Sequence, residues 1–296
     1  MNELISYWAY ALAWKITKAL PAAVAYKIFQ GIADLISRRN PAPVNRLRSN
    51  YSRVHPNLNS DQLEKLVRDG MRSYLRYWCD TFRLPAWDTT QTMKNVVVEN
   101  EDLLRAPLAA GRGVIVSLPH AGNWDHAGAY FCASGAPLVT VAEHLKPEKL
   151  FRKFLVYRES IGMEVLDANA RTLAILAQRL RSNRLVALVA DRDLSRSGVE
   201  VQFLGGPSRM PIGPALLSIQ TKAPLISAFV KYEERGIRII FEGEIAIPET
   251  GDQKSKIAAM TQVCADRFGR HIKESTVDWH MLQRIWIDGD FVERSA

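Results

Sequence analysis

At 296 residues the chain can build one large α/β domain or two small ones, with a substantial core. Apolar residues at 47% and charged residues at 24% are those of a globular protein and exclude disordered and collagen-like classes. The net charge of +8 calls for an anionic partner, and nucleic acid and an anionic membrane surface both fit.

The charge is concentrated at the N-terminus. Residues 1–55 carry Lys15, Lys18, Lys27, Arg38, Arg39, Arg46, Arg48 and Arg53 against Glu3 and Asp34, a net +6. No zinc-finger spacing, RNA-recognition aromatic motif or basic low-complexity tail accompanies them, which favours the membrane and argues against nucleic acid. The first forty residues read as two helical stretches broken at Pro21. Trp8, Leu12, Ile16 and Leu20 recur every fourth residue, with Tyr7, Tyr10 and Trp14 beside them and Lys15 and Lys18 beyond. Aromatic side chains with basic neighbours suit a helix lying in the headgroup region, although an amphipathic helix packed on the core has the same period. The apolar run from Leu4 to Trp14 is short of the roughly 20 residues needed to cross a bilayer, and no cleavable leader is evident. Cys79, Cys132 and Cys264 are odd in number and without a C-x-x-C pair, as in a reducing compartment. A cytoplasmic protein at the membrane surface is expected.

Further along, Ser60 is the expected N-cap of a helix through Leu63, Leu66, Met71, Leu75 and Trp78. From about residue 95 short apolar runs alternate with helical periods. The runs are Val114–Val116, Leu185–Val189 and Pro224–Val230, and one helical period is Ile257, Met260, Cys264, Phe268 and Ile272. This pattern predicts an α/β fold with a mixed, mostly parallel central sheet flanked by helices. A hairpin around Glu233-Glu234-Arg235 is placed at one sheet edge. The expected organisation is a basic amphipathic helical segment for membrane association over 1–55, then a single α/β domain over 56–296.

The chemistry is sought at strand ends. Val114–Leu118 ends at Pro119, which puts His120 at the carboxyl end of a strand, where α/β folds place ligands. Asp125, five residues on, can fold back and hold one imidazole nitrogen, leaving the other as a base. The run Leu185–Ala190 delivers Asp191-Arg192-Asp193 at a second strand end, where three charges are costly unless they pair or act. A turn-rich stretch, Phe203–Pro211, follows, with Pro211 suited to the first turn of the next helix. No Gly-x-Ser-x-Gly elbow advertises a nucleophile. Transfer of an acyl group from a thioester to an alcohol needs only a base and oxyanion donors, so His120 suffices.

Five segments carry a resemblance over nearly the whole chain. They are Pro119–Asp125, Val141–Glu148, Tyr157–Ser160, Asp191–Gly198 and Asp278-Trp279-His280-Met281-Leu282-Gln283. In order and content they resemble the phosphatidylinositol mannoside acyltransferases of actinobacteria, within the lipid A lauroyl- and myristoyl-type acyltransferase superfamily. The resemblance implies an acyl-CoA donor, preferentially palmitoyl, and a mannose hydroxyl of a phosphatidylinositol mannoside as acceptor. It implies no further cofactor, no metal and no covalent acyl-enzyme, and a peripheral enzyme on the cytoplasmic face of the plasma membrane. It makes His120 the base and Asp191 its partner. It puts Glu143, Arg158 and Arg192 around the acceptor, with Ser197 and Gln220 near the donor groove. Mycobacterial members carry Glu where this chain has Asp191 and an acidic residue where it has Gln220. The shorter carboxylate leaves the orienting role open between Asp191 and Asp125. Rival readings are acyl transfer to lipid A, a metal-dependent hydrolase built from His120, Asp125, His126, Asp191 and Asp193, and a non-catalytic membrane scaffold.

Overall fold

The computed structural model describes residues 12–142, 148–193 and 197–288. Four helices come first: residues 12–19 (α1), Ala22–Arg39 (α2), Ala42–Val54 (α3) and Ser60–Arg83 (α4). Pro21 separates α1 from α2, as the missing N–H of proline requires. Helix α4 starts one residue earlier than its hydroxyl suggested. Asn59 is the N-cap, accepting from the Gln62 N–H while Gln62 returns a bond to the Asn59 N–H, so Ser60 is the first helical residue.

The short helix Thr89–Met93 (α5) leads into alternating strand and helix. In order these are β1 (Val96–Glu99), α6 (Asp102–Ala109), β2 (Val114–Leu118), α7 (Trp124–Ala133), β3 (Leu138–Ala142) and α8 (Glu148–Ser160). Then come β4 (Glu164–Asp167), α9 (Thr172–Arg181), β5 (Leu185–Val189), β6 (Val199–Phe203) and β7 (Gly206–Met210). The chain closes with α10 (Gly213–Thr221), β8 (Leu225–Tyr232), β9 (Ile237–Glu242) and α11 (Gln253–Glu274). Seven strands form one sheet in the order β1-β9-β8-β2-β5-β3-β4, parallel except where β8 meets β9. The α/β class and mixed, mostly parallel sheet are those expected from the alternation.

Two local expectations change. The β8–β9 hairpin is present, but β1 pairs outside it in parallel, so β1 and not the hairpin forms that edge. The turn-rich stretch is itself a hairpin: β6 and β7 pair antiparallel around Leu204 and Gly205, both at positive φ, the two-residue geometry that matches strand twist. Pro211 therefore follows β7, and Pro214 occupies the first turn of α10.

Strand β2 is buried on both faces. Ile115 joins a core built with α3, α4 and α9 to α11, while Val114, Val116 and Leu118 join a second core under α6 and α7. Leu47, Tyr51 and Val54 of α3 lie in the first of these together with Phe203, Phe268 and Trp279. Among the described helices none is long and apolar enough to cross a membrane.

Trp14 faces inward, against the interfacial expectation. Its ring packs on Phe82, Tyr157 and Phe154, with centroids 5.1, 5.3 and 5.9 Å away. Tyr7, Trp8 and Tyr10 lie outside the described residues. The exposed face of these helices is aliphatic: Leu12 and Ile16 on α1, then Val24, Ile28, Ile32 and Leu35 on α2. The physical reason is the slot between α4 and α8, which offers three rings and suits a large aromatic better than a solvent boundary does. Trp14→Ala is accordingly expected to lower folding stability by about 3 kcal/mol, while Leu12→Ala stays within about 0.5 kcal/mol, as read from urea unfolding midpoints.

Candidate active site

The register of β2 on β5 creates the central pair. Val114 through Leu118 run beside Leu185 through Val189, and the Ala190 N–H donates to the Leu118 carbonyl at 2.8 Å. Two residues beyond the end of each strand stand His120 and Asp191. The His120 Nδ1–H donates to Asp191 Oδ1 at 2.5 Å, and the His120 backbone N–H donates to Oδ2 at 3.0 Å. The Trp279 indole N–H reaches the same Oδ2 at 2.9 Å. Asp191 has no solvent exposure, and His120 is 24% exposed in its side chain. Burial alone would raise the Asp191 pKa, but the His120 charge and these three N–H bonds hold it below the ordinary carboxylate value. With Nδ1 committed, Nε2 is the imidazole nitrogen left to take a proton.

Asp125 does not fold back onto His120. It begins α7, whose N-cap Asn123 accepts from the His126 N–H, and the helix carries its carboxylate the other way. There it accepts from the Tyr77 hydroxyl and from Arg158 Nε, each at 2.9 Å. Burial disfavours charge on Arg158, yet the Asp125 carboxylate outweighs it and keeps the guanidinium firmly protonated. The shorter carboxylate at 191 thus spans the gap to His120, and the contact to the imidazole is made by Asp191 and not by Asp125. Trp124 stands between the two pairs: its ring is 5.6 Å from His120 and stacks on Tyr77 at 4.3 Å.

The turn that carries His120 is tightly enclosed. Gly122 has φ +58°, and a Cβ there would meet the Val230 carbonyl oxygen at 2.5 Å, so only glycine fits. A strap from the far C-terminal end clasps this turn. The Gly122 N–H donates to the Asp278 carbonyl, and the His280 N–H donates to the His120 carbonyl, both at 2.8 Å. Trp279 bridges to Ala121, and the Tyr51 hydroxyl holds the Trp279 carbonyl at 3.0 Å. His280 is buried against Trp124, Tyr74 and Tyr77; burial first, and the nearby His120 charge second, push its pKa down to about 3. It is neutral throughout the working range.

The remaining sequence-derived residues are dispersed. Arg192 donates to Gln283 Oε1 at 2.8 Å, which ties the second strand end to the strap. Ser197 is exposed and donates to Asp193 at 3.2 Å, and Gln220 is exposed near the end of α10. Glu143 lies outside the described residues. The five residues of the metal-hydrolase reading do not converge. His126 gives its Nε2–H to the Thr92 carbonyl, Asp125 is bound to Arg158, and among the described residues no three His, Cys, Asp or Glu are grouped to hold a metal. A cavity of about 840 Å³ opens on the far side of Asp278, under α2. Its buried Asp80 already accepts from Tyr26 and Tyr232 at 2.5 and 3.0 Å.

The residues that sequence reasoning left without a role are Trp279, His280, Tyr77 and Trp124. Trp279 and His280 stood within the resembling segment Asp278–Gln283, but their partners lie 88 and 160 positions away, Asp191 for the indole and His120 for the His280 N–H. Spacing gives no access to such contacts.

The sequence profile of the bacterial lipid A biosynthesis acyltransferases matches residues 1–287. A phosphatidylinositol mannoside acyltransferase of Mycolicibacterium smegmatis is 42% identical over 290 residues, covering 97% of this chain and 93% of the relative. One from Mycobacterium tuberculosis is 40% identical over 285 residues, covering 95% and 88%. With a whole-chain profile match and relatives this similar at full length, the chain belongs to the bacterial lipid A biosynthesis acyltransferase family.

Proposed function

We propose that the protein transfers a fatty acyl group, preferentially palmitoyl, from acyl-CoA to a mannose hydroxyl of a phosphatidylinositol mannoside. His120 acts as general base, with Asp191 as its orienter. The observation that carries this reading is the 2.5 Å contact between His120 Nδ1 and the buried Asp191 at adjacent strand ends. It leaves Nε2 to remove the hydroxyl proton as the acceptor oxygen attacks the thioester carbonyl. The tetrahedral intermediate collapses with cleavage of the C–S bond. The proton on Nε2 passes to the departing sulfur, giving free CoA thiol, the sugar ester and a neutral His120. No acyl-enzyme is formed. The acceptor named for both mycobacterial relatives supports the mannoside as substrate.

Roles follow for the surrounding residues. Arg158, with Asp125 beneath it, offers a fixed cation to the acceptor on the far side of Trp124. Arg192 and Glu143 line the acceptor, and Ser197 and Gln220 border the donor groove. The acceptor lives in a bilayer, so the enzyme works as a peripheral protein on the cytoplasmic face of the plasma membrane. Residues 1–55 are its membrane-association segment, joined to the catalytic domain of 56–296. The exposed stripe Val24, Ile28, Ile32 and Leu35, one face of α2, and the net +6 of this segment support that role.

Three measurements test the reading. His120→Ala is expected to lower the transfer rate by about 10² to 10⁴ without unfolding the protein, in an assay of acyl-CoA with a mannosylated phosphoinositide. More than a tenth of the activity remaining in that variant would refute the base. Asp191→Asn is expected to lower the rate more than Asp125→Asn, since only the former touches His120. Binding to anionic phospholipid vesicles is expected to weaken with salt without vanishing, each basic residue near the surface adding about 1 kcal/mol. Lys15→Glu with Lys18→Glu removes part of the salt-sensitive component, and Val24→Ser with Ile28→Ser removes part of the salt-resistant one. Unchanged vesicle binding in both double variants would exclude this face.

A further inference from the structure

We propose that Trp279 is a positioning residue for acyl transfer: its indole N–H fixes the Asp191 carboxylate in the orientation that serves His120. The proposal rests on the reading of His120 as the base. The carboxylate is wholly buried, and its two oxygens are divided between different tasks. Oδ2 receives the Trp279 indole and the His120 backbone N–H, at 2.9 and 3.0 Å, while Oδ1 receives the imidazole at 2.5 Å. Two donors on Oδ2 prevent the group from rotating, so Oδ1 faces the ring. An indole N–H suits this position because it only donates and does not titrate in the working range.

Trp279 is itself fixed. It is wholly buried, with Phe203 and Trp286 at near-perpendicular angles, 5.9 and 6.3 Å between centroids. Its carbonyl is held by Tyr51 on α3, and its backbone bridges Ala121, next to His120. The adjacent His280 N–H grips the His120 carbonyl. One short strap therefore sets both members of the pair against each other.

Among the described residues the titratable and charged groups around the pair are few. His120 faces Asp191 and, from the strap, the neutral His280. Arg192, next to Asp191 in the chain, is bonded to Gln283. On α7, Asp125 is engaged by Arg158 of α8 and Tyr77 of α4, beyond Trp124. Losing the indole N–H leaves more of the Asp191 charge directed at His120. That stabilises the imidazolium, so a higher pH is needed to free Nε2.

The test compares kcat/KM against pH for Trp279→Phe and for Trp279→β-(3-benzothienyl)alanine, a bicyclic isostere that lacks the N–H. Wild type, His120→Ala and Asp191→Asn are run beside them with acyl-CoA and a mannosylated phosphoinositide. For the isostere, the acid limb is expected to move up by about half to one pH unit. Its plateau rate is expected to fall about tenfold through loss of orientation, with KM for acyl-CoA and the circular dichroism spectrum unchanged. The isostere decides the matter even where the phenylalanine variant unfolds. A wild-type acid limb and plateau in the isostere, with His120→Ala inactive, would overturn the role of Trp279 and leave the base in place. A fully active His120→Ala would overturn both.

Discussion

The residue-by-residue parallel pairing of β2 with β5 is the constraint on which the site depends. It brings two strand ends level, so that a histidine and an aspartate 71 positions apart meet at hydrogen-bond distance. A carboxylate so fully buried stays ionised only when donors surround it, and here three N–H groups do so. Two come from His120 and one from Trp279, which makes the C-terminal strap part of the site and not a mere covering. The strap's own anchors, Asn50 on Met281 and Gln283 and Tyr51 on Trp279, run back to α3. Early helix, middle strands and late strap thus converge on a single turn.

The second carboxylate shows how the same chemistry is partitioned. Asp125 and Arg158 form a buried ion pair, whose desolvation is costly and whose attraction is useful only with good geometry and extra bonds. Tyr77 supplies the extra bond, and the first turn of α7 adds a favourable dipole. This pair and the His120–Asp191 pair stand on either side of Trp124, one holding a cation firmly charged, the other leaving a nitrogen to take a proton.

The N-terminal helices obey two demands at once. Small residues, Ala25 and Ala33, bring α2 close to α4, and Tyr26 reaches the buried Asp80. Trp14 fills the slot beside Phe82. What remains outward is an aliphatic face with lysines and arginines around it. Trp14 goes where its neighbours can accommodate a large ring, and periodicity alone does not report that choice.

The sequence by itself determined the alternation of apolar runs and helical periods, and with it the α/β class, because burial of β2 on both faces and of the start of β5 favours apolar residues there, Ser117 alone being polar. It also placed His120 and Asp191 at strand ends, since Pro119 and the charged triplet mark where those runs stop. Helix and strand edges were less legible. Ser60 yielded its capping role to Asn59, and the Phe203–Pro211 turns became a hairpin, because reciprocal capping bonds and twist matching are geometric and not compositional. Only the tertiary structure decided which carboxylate meets the imidazole. Local spacing favoured Asp125, five residues away, yet the start of a helix at Trp124 turned that side chain toward Arg158 and the sheet register supplied Asp191 in its place. The indole that completes the cage is 88 residues further on, where no rule of spacing reaches.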